Sequence, residues 1–472
     1  MTTELWSWTA SELADAIREG KVSSVEATGS ALARMEAANG PINAVVDALP
    51  EQAMEAARAA DAALRASGPS GPLHGVPITV KINVDYGGRA TTNGVVAYKD
   101  LIAPEDGSVV KNLRASGAVI IGRTNTPCYS MRGCTSNDLH GHTYNPHDKS
   151  LTPGGSSGGA GAATAAGIGA MGHGNDIGGS VRYPAYCNGI YGLRPTAGIV
   201  PAYNPSQLSE RPIVSQMSSV QGPLARSVED IRISMQALAQ PDPRDIWQVP
   251  LSTMFDAPLA HRPCKVAMLA ETDESAVDPE VTAAIRQAGT ILADAGYEVV
   301  EVQPPSLYEA MTFWRQLLGN EMSGGLYQLM LKNGDEKLKK SMGALIDGID
   351  KIDDKEQFLQ LLSKRSTLLR QWQLFFADYP ILLTAMTWIK PYEDDLDVKD
   401  GLDTDWYFRA HGPMMGTPTL GLPGLSVPVG TVPGVPMGVQ LISDRYGDRR
   451  LLEAGAVLER AIGPILPIDP RH

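Results

Sequence analysis

The hydrophobic and polar positions of this chain change period along its length, from helical repeats to short apolar runs. Near the start, apolar residues recur at helical spacing in three stretches, 9–20, 23–40 and 51–68. Thr9 or Ser11 can cap the first helix, with the carboxylate of Glu12 in its first turn. Gly40 and Gly68 are expected to end the second and third helices.

Beyond residue 75 the pattern alternates between apolar, β-branched runs and amphipathic helices. Runs typical of strands occupy 75–85, 118–125, 264–270, 297–304, 379–386 and 424–443. Helical patterns occupy 107–117, 227–240, 281–296 and 449–462. This alternation predicts an α/β fold with a parallel or mixed sheet that helices cover on both faces.

A long helical region interrupts the alternation. Residues 305–375 are predicted to be almost wholly helical, and the acidic tract 390–410 is predicted to be a solvated loop. Strand patterns lie on both sides of this region. We therefore predict one domain over residues 1–472 with a helical insertion at about 305–400, instead of three separate domains.

Composition narrows the class of protein. The 472 residues carry a net charge of −13, which argues against a general nucleic-acid binder because such a protein presents a basic face. No apolar run is long enough to predict a membrane span, and the charged, amphipathic start lacks the apolar segment of a secretory signal. We therefore expect a cytoplasmic protein. The four cysteines follow neither a zinc nor a disulfide pattern.

Two glycine turns that carry serine lie close together. Gly154–Gly159 presents Ser156 and Ser157 directly before an Ala/Gly-rich run, which we expect to be a helix packed closely against the sheet. Asp176–Ser180 has the sequence Asp-Ile-Gly-Gly-Ser, whose successive backbone N–H groups can form a nest for an oxyanion. Taken singly, the first turn can be a helix cap and the second a tight bend without chemistry.

Serine nucleophiles need a base, and the best candidate is a lysine. None of the eight histidines stands in a recognisable triad context. Lys81 lies inside the apolar stretch PITVKINVD, where an unpaired ammonium is costly. Lowering a lysine pKa from about 10.4 to about 7 corresponds to roughly 4–5 kcal/mol, which full burial can supply. Lys81 is therefore either a neutral base or the partner of a buried carboxylate.

Three motifs in this order resemble the amidase signature family of serine hydrolases. They are GVPITVKIN, TPGGSSGG and DIGGSVRYPAYCNGIYGLRPT. Lys81 precedes Ser156 by 75 residues and Ser156 precedes Ser180 by 24, which suits the family. Similarity is continuous over about 60–240 and returns near 411–460. The resemblance implies a single α/β/α domain with a mixed central sheet, and hydrolysis of carboxylic amide C–N bonds.

The resemblance assigns expected roles residue by residue. Ser180 is expected to be the nucleophile that forms an acyl-enzyme, Lys81 the base, and Ser156 the bridging serine after a cis peptide bond from Gly155. The expected oxyanion-hole donors are the backbone N–H groups of Ile177, Gly178, Gly179 and Ser180. The expected supporting residues are Ser157, Asp176 and Arg182. The expected substrate contacts are Cys128, Met131 and Gly133.

The resemblance also implies the partners of the reaction. We expect a small amide and water, no metal or organic cofactor, no nucleic acid, no membrane, and a monomer or homodimer. Aryl amides, esters and carbamates are candidate substrates because the acyl chemistry is shared. The insertion offers apolar residues that either line the pocket or belong to the core, namely Trp314, Leu317, Met322, Tyr327 and Trp388.

The chain departs from the family pattern at four positions. Ile82 follows the lysine where the family often has Asp, and Cys128 follows TNTP where Glu or Gln is frequent. His173 and Asn175 replace small or hydroxyl residues. We expect these differences to affect specificity or support of the site, since the three proposed catalytic residues are present.

Other interpretations stay open at this point. GGSSG also fits a nucleophile elbow, although a polar, proline-containing segment precedes it instead of a strand. His140 and His142, with His147 or His173, could bind a metal, and Cys128 or Cys187 could be a nucleophile. A binding subunit without activity is a further alternative. So is an amidotransferase subunit that releases ammonia from glutamine within a complex.

Overall fold

Strands from both halves of the chain form one eleven-stranded mixed sheet in the computed structural model, which describes residues 4–207 and 209–471. The strands are β1 Val45–Ala48, β2 Pro77–Lys81, β3 Val119–Thr124, β4 Ser136–Asn137, β5 Gly141–His142, β6 Met171–Asp176, β7 Tyr191–Arg194, β8 Val220–Ala225, β9 Lys265–Met268, β10 Glu298–Glu301, β11 Ile381–Thr384, β12 Gly424–Val432 and β13 Val435–Ser443. Across the sheet their order is β1-β3-β2-β6-β8-β7-β12-β13-β11-β9-β10, and β4 pairs with β5 separately.

Helices flank this sheet, as the alternating pattern predicts. They are α1 Ala10–Arg18, α2 Ser24–Ile42, α3 Pro50–Ser67, α4 Ser108–Ala115, α5 Gly158–Ala165, α6 Arg182–Asn188, α7 Ile213–Ser218, α8 Val228–Leu238, α9 Pro279–Asp294, α10 Leu307–Met322, α11 Gly325–Asn333, α12 Glu336–Asp347, α13 Lys355–Asp378, α14 Thr404–Ala410, α15 Gly412–Met415 and α16 Asp448–Ile462. Through residues 4–207 and 209–471, none of the helices has both the length and the apolar character needed to cross a membrane.

The pairing of β2 with β6 brings the predicted motifs together. These two strands run parallel, and β2 also pairs in parallel with β3. The carboxyl ends of parallel neighbours lie at the same edge of a sheet. Lys81 is the last residue of β2 and Asp176 is the last residue of β6, so the two lie at one edge although 95 positions of sequence separate them.

Local signals fix several helix ends. Thr9 caps α1 in a capping box with Glu12, in agreement with the sequence prediction. The second helix differs from the prediction, since α2 does not stop at Gly40 but continues to Ile42. It ends at Asn43, which adopts the left-handed conformation with φ of 46°. Asparagine is one of the few residues other than glycine that tolerates this conformation at a helix end.

Small residues let α5 approach the sheet closely. All eight residues of α5 are buried. A Cβ atom on Gly159 would lie 2.5 Å from the backbone nitrogen of Asn125, and one on Gly172 of β6 would lie 2.8 Å from Thr164 Oγ1. Larger side chains at these positions would push the helix away from the strands. The Ala/Gly-rich composition of α5 therefore brings the turn that precedes it close to β6.

The region after residue 300 is helical, as predicted, from α10 to α13. The acidic tract 390–410 is not the solvated loop that the sequence predicts. It contains α14, and Asp397 is buried. The buried guanidinium of Arg132 explains the difference, because its nitrogen atoms donate to both carboxylate oxygens of Asp397, at 3.1 and 2.7 Å, and to Asp395 at 2.7 Å.

Candidate active site

Lys81 ends strand β2 with its side chain completely buried. Its Nζ atom lies 2.8 Å from Ser156 Oγ, 3.0 Å from Ser157 Oγ and 2.8 Å from Asn175 Oδ1. The two serines belong to the turn before α5, and Asn175 belongs to β6. The peptide bond between Gly155 and Ser156 is cis, as the family resemblance implies. Two distant motifs therefore meet on one amine.

Burial controls the protonation of this amine. It holds the pKa of Lys81 well below the usual lysine range, and the carboxylate of Asp176 offsets part of that effect. Removal from water penalises the charged form of a lysine. An uncharged amine can accept a proton, so this site offers a base without a histidine.

Asp176 organises the second glycine turn. It is fully buried, and Arg182 donates to both of its carboxylate oxygens, at 3.0 and 3.1 Å. Arg194 donates to the Asp176 backbone carbonyl at 2.6 Å. Burial alone would raise the pKa of the Asp176 carboxyl, but the two guanidinium groups outweigh burial and hold that pKa below its usual value. The carboxylate is therefore ionised and fixed in place.

The turn at 177–180 is held from both sides. The Gly179 N–H donates to Asp176 Oδ1 at 2.9 Å, so this member of the expected oxyanion hole already has an acceptor. Gly179 has φ of 111°, and a Cβ atom there would lie 2.5 Å from Met414 Sδ. Trp314 of α10 donates its indole N–H to the Ile177 carbonyl at 2.8 Å. The backbone of this turn is therefore packed and hydrogen-bonded before any substrate arrives.

Polar side chains extend the site beyond the lysine. Asn175 Nδ2 donates to Asn83 Oδ1 at 2.9 Å, and Asn83 Nδ2 donates to Ser130 Oγ at 3.0 Å. The Ser130 hydroxyl donates to Asn93 Oδ1 at 2.6 Å. Of these four residues, only Asn175 stands out in the sequence, as a departure from the family pattern, although Asn83 is the last residue of the motif GVPITVKIN. The others come from loops after β2 and around Cys128–Ser130, and only the tertiary fold brings them together.

A cavity of about 380 Å³ opens onto the two serines. Ser156 and Ser180 both line it, and Ser180 is half-buried. The rest of the wall includes aromatic and aliphatic side chains, namely Tyr98, Leu101, Tyr129, Met131, Ile177, Met322, Leu326, Leu329 and Met330. Polar side chains line the cavity as well, among them Asn83, Asn204, Glu210 and Arg211. Apolar surface combined with convergent polar groups is typical of a small-molecule site.

The cavity includes some of the predicted substrate contacts. Met131 and Met322 line it. Cys128 and Gly133 lie outside its lining, and Cys128 is buried in the main core. The remaining apolar residues of the insertion belong to the core or contact it. Trp314, Leu317 and Trp388 are buried in the main core, and Tyr327 packs against it. Helix α11, from which the sequence names only Tyr327, supplies Leu326, Leu329 and Met330.

In the described part of the chain, the four histidines of the rival metal site do not converge, although His142 lies in a group with Asp394 and Asp395 that could hold a metal ion. His140, His147 and His173 each have a separate partner, respectively Thr92, the Asn188 carbonyl and Gln221. His142 pairs with Asp394. Burial raises the pKa of the Cys128 thiol to about 11 and raises that of Cys187 as well, which disfavours the thiolate. The segment before Ser156 is a loop instead of the strand that a nucleophile elbow requires.

Comparison with known proteins fits this geometry. The amidase family profile matches residues 26–452, so the chain belongs to the amidase family and is an amide C–N hydrolase. Indoleacetamide hydrolase of Bradyrhizobium diazoefficiens is 44% identical over 462 residues, covering 97% of this chain and 87% of that protein. A glutamyl-tRNA(Gln) amidotransferase subunit from Moorella thermoacetica is 31% identical, with 97% of each chain covered.

Solved structures have the same fold. A bacterial aryl acylamidase of the amidase signature family superposes with a TM-score of 0.83 at 25% identity, covering 97% of both chains. Fatty acid amide hydrolase superposes with a TM-score of 0.85 at 24% identity, covering all of this chain and 88% of that one. The predicted fold class, a mixed sheet flanked by helices in an amidase signature enzyme, is confirmed.

Proposed function

We propose that Ser180 is the nucleophile of this amidase, Ser156 its proton relay and Lys81 its base, and that the substrate is the primary amide of an arylacetic acid such as indoleacetamide. The observation that carries the proposal is a buried amine 2.8 Å from Ser156 Oγ, beside a cavity that Ser180 also lines. Nucleophilic catalysis by serine needs a neighbouring base of this kind.

In the proposed first step, Ser180 loses its proton to Ser156 while Ser156 gives its own proton to neutral Lys81. The Ser180 oxygen bonds to the amide carbon, and the carbonyl electrons move onto oxygen. The N–H groups of Ile177, Gly178 and Ser180 stabilise this oxyanion, where each donor contributes about 3–4 kcal/mol. Gly179, expected as a fourth donor, instead serves the turn because its N–H is bound to Asp176.

Collapse of the oxyanion breaks the C–N bond. The proton held on Lys81 returns through Ser156 to the leaving nitrogen, and ammonia departs from a primary amide. Water then attacks the acyl-Ser180 carbonyl and loses its proton along the same route. The second oxyanion then collapses, the bond between the acyl carbon and Ser180 Oγ breaks, and the proton on Lys81 returns through Ser156 to Ser180. The carboxylic acid is released and Lys81 is again neutral. The microscopic reverse of the first relay thus completes the second half.

The cavity wall supports an aryl substrate. Tyr98, Tyr129, Met131 and Met330 provide apolar and aromatic surface, and a volume of about 380 Å³ is sufficient for a bicyclic ring with a short side chain. The similarity to an indoleacetamide hydrolase over 97% of the chain points the same way. Burial of an aryl ring of this size favours an aryl amide over acetamide by on the order of 100-fold in kcat/KM.

The test uses the purified chain without partner subunits, since all proposed catalytic groups belong to one chain and a monomer or homodimer is sufficient. Ammonia release is measured with indoleacetamide, phenylacetamide, acetamide and glutamine. We expect preference for the aryl amides, and roughly a 10⁴-fold or greater loss of kcat in Ser180→Ala with unchanged thermal unfolding. Preference for glutamine would contradict the substrate proposal, and near wild-type turnover by Ser180→Ala would contradict the mechanism.

A further inference from the structure

Asn175 occupies an unusual position between the proposed base and the cavity wall. Its Oδ1 accepts from Lys81 Nζ at 2.8 Å, and its Nδ2 donates to Asn83 Oδ1 at 2.9 Å. It is half-buried and also lines the cavity. A backbone contact to Ser157 Oγ at 3.4 Å further ties it to the serine turn. One side chain therefore connects the amine to the wall.

Every hydrogen bond in this series is donated in the same direction, away from Lys81. Asn83 Nδ2 donates to Ser130 Oγ, and the Ser130 hydroxyl donates to Asn93 Oδ1. With Nδ2 committed to Asn83, the only Asn175 atom that faces Lys81 is an oxygen, which can accept but cannot donate. Asn175 therefore presents a fixed acceptor to the amine.

A fixed acceptor matters most when the amine is neutral. Neutral lysine has two N–H bonds and one lone pair, and three oxygens surround Nζ: Ser156 Oγ, Ser157 Oγ and Asn175 Oδ1. If the two N–H bonds point to Ser157 and Asn175, the lone pair must point to Ser156. That orientation is the one in which the amine can take the Ser156 proton.

We infer that Asn175 is a positioning residue that aims the Lys81 lone pair at Ser156 and that, with Asn83, Ser130 and Asn93, joins the base to the substrate cavity. This inference rests on the proposed function, because it takes Lys81 to be the base. Asn175 acts through Lys81 and bonds no reacting atom itself. Its removal should slow the proton relay and leave substrate binding nearly unchanged.

The charged surroundings of Lys81 make a pH test interpretable. On β6, Asp176 is paired with Arg182 and Arg194, and burial lowers the pKa of His173 to about 3, so that histidine stays neutral. On β3, Arg123 directs its guanidinium to Asp47 and to backbone carbonyls. Helix α5 contributes only Gly, Ala and Thr residues. A new carboxylate at position 175 would therefore be a charge in direct contact with the amine.

The experiment compares Asn175→Ala, Asn175→Ser and Asn175→Asp with the wild-type chain on indoleacetamide. We expect Asn175→Ala to lower kcat by about 10- to 100-fold with little change in KM. Asn175→Ser should lose less kcat than Asn175→Ala, because its hydroxyl oxygen can also accept a hydrogen bond. Asn175→Asp should move the acidic limb of the kcat/KM profile upward by about 1–2 pH units, because the carboxylate favours the ammonium. Gln328→Glu adds the same charge on the exposed face of α11 and should leave the profile in place.

A second measurement does not depend on turnover. A fluorophosphonate probe forms a Ser180 Oγ–P bond and releases fluoride, and the serine proton goes to the base. Its inactivation rate against pH should show the same upward shift in Asn175→Asp. Circular dichroism and thermal unfolding verify that each variant is folded.

The outcomes separate the two proposals. If Lys81→Ala and Ser180→Ala are inactive but the profile of Asn175→Asp coincides with that of the wild-type chain, the positioning role is wrong and the mechanism stands. An equal effect of Gln328→Glu would also overturn the role, because it would show a general charge effect. If Lys81→Ala keeps wild-type activity, the proposed function itself fails.

Discussion

At the scale of single residues, the protonation state of the Lys81 amine affects both the proposed catalysis and the free energy of unfolding. Burial holds its folded pKa below the unfolded value, which is about 10.4. Between these two values the unfolded chain binds a proton that the folded chain lacks, so the free energy of unfolding rises with pH there. We expect the free energy of unfolding of the wild-type chain, relative to that of Lys81→Met, to rise with pH by up to about 1.4 kcal/mol per unit in the range below about pH 10.

Urea unfolding at several pH values measures this difference. Lys340→Met, which removes an exposed amine that is paired with Asp400, is the matched control and should not reproduce the slope. A difference for Lys81→Met that stays constant across the range would mean that the folded chain holds this amine protonated. Such a result would also count against its role as a base.

Substitution of Asp176 measures how much the buried ion pairs of the site contribute to the stability of the chain. Asp176→Asn keeps the shape of the side chain but leaves Arg182 and Arg194 without their buried carboxylate. Breaking one side of a buried pair costs about 3–5 kcal/mol, and we expect that loss in urea unfolding. Asp400→Asn, at an exposed pair, should leave the urea midpoint nearly unchanged. Equal effects of the two substitutions would show that the buried network contributes little.

At the scale of elements, the helical insertion supports the second glycine turn. Trp314 on α10 holds the Ile177 carbonyl, and a Cβ atom on Gly178 would lie 2.8 Å from its ring. Trp314→Phe retains an aromatic ring but removes the indole N–H. We expect kcat to fall by about 10-fold, equivalent to about 1.4 kcal/mol, because a loosened turn stabilises the oxyanion less well.

The control for this prediction is Trp372→Phe on α13, where the ring packs against Phe375 and Phe376. It removes the same atoms from the core and should change thermal unfolding more than kcat. Comparison of kcat with KM for indoleacetamide is the deciding measurement. A change confined to KM in Trp314→Phe would mean that the tryptophan shapes the cavity and does not hold the turn.

Elements with a strong hydrophobic pattern are predictable from the sequence, but strand β6, which carries Asn175 and Asp176 of the candidate site, is not. The runs at 75–85 and 118–125 become β2 and β3, and the hairpin at 424–443 becomes β12 and β13. Strand β6 has the sequence Met-Gly-His-Gly-Asn-Asp, whose composition has low strand propensity. It is a strand because it pairs along its whole length with β8, while its glycines allow α5 to pack on it. Both causes are tertiary, and no local pattern within the strand records them.

The residues of the candidate site also fall into those that the sequence predicts and those that it does not. The motifs are sufficient to place Lys81, Ser156 and Ser180 as candidates, because glycine turns and a lysine in an apolar strand are local features. The contacts of Asn83, of Trp314 and of the cavity wall from α11 are not predictable, although the sequence names Trp314 and Tyr327 as candidates, since these contacts depend on loops and helices far away in sequence. Asp397 illustrates the same limit, because only its partner Arg132 explains why it is buried.

At the scale of the whole molecule, the sheet joins segments from residue 45 to residue 443, in an order that no local pattern predicts. Helix α16 contacts helix α8 through Glu459, which accepts from the Val228 N–H at 3.1 Å. Burial raises the pKa of Glu459 to about 7, and the nearby Asp230 acts in the same direction. A carboxyl pKa that is higher in the folded chain gives stability at low pH that is lost as pH rises through about 7.

Glu459→Gln should therefore stabilise the chain at pH 8, where folding must otherwise bury a charge, because the amide oxygen still accepts from Val228. At pH 5 the wild-type carboxyl is largely protonated when folded, so the two chains should be closer in stability. Urea unfolding at both pH values measures this, with Glu51→Gln, an exposed residue of α3, as the control. If Glu459→Gln were less stable than the wild-type chain at pH 8, Glu459 would act there as a stabilising charge, and the junction between α16 and α8 would depend on ionic contacts instead of burial.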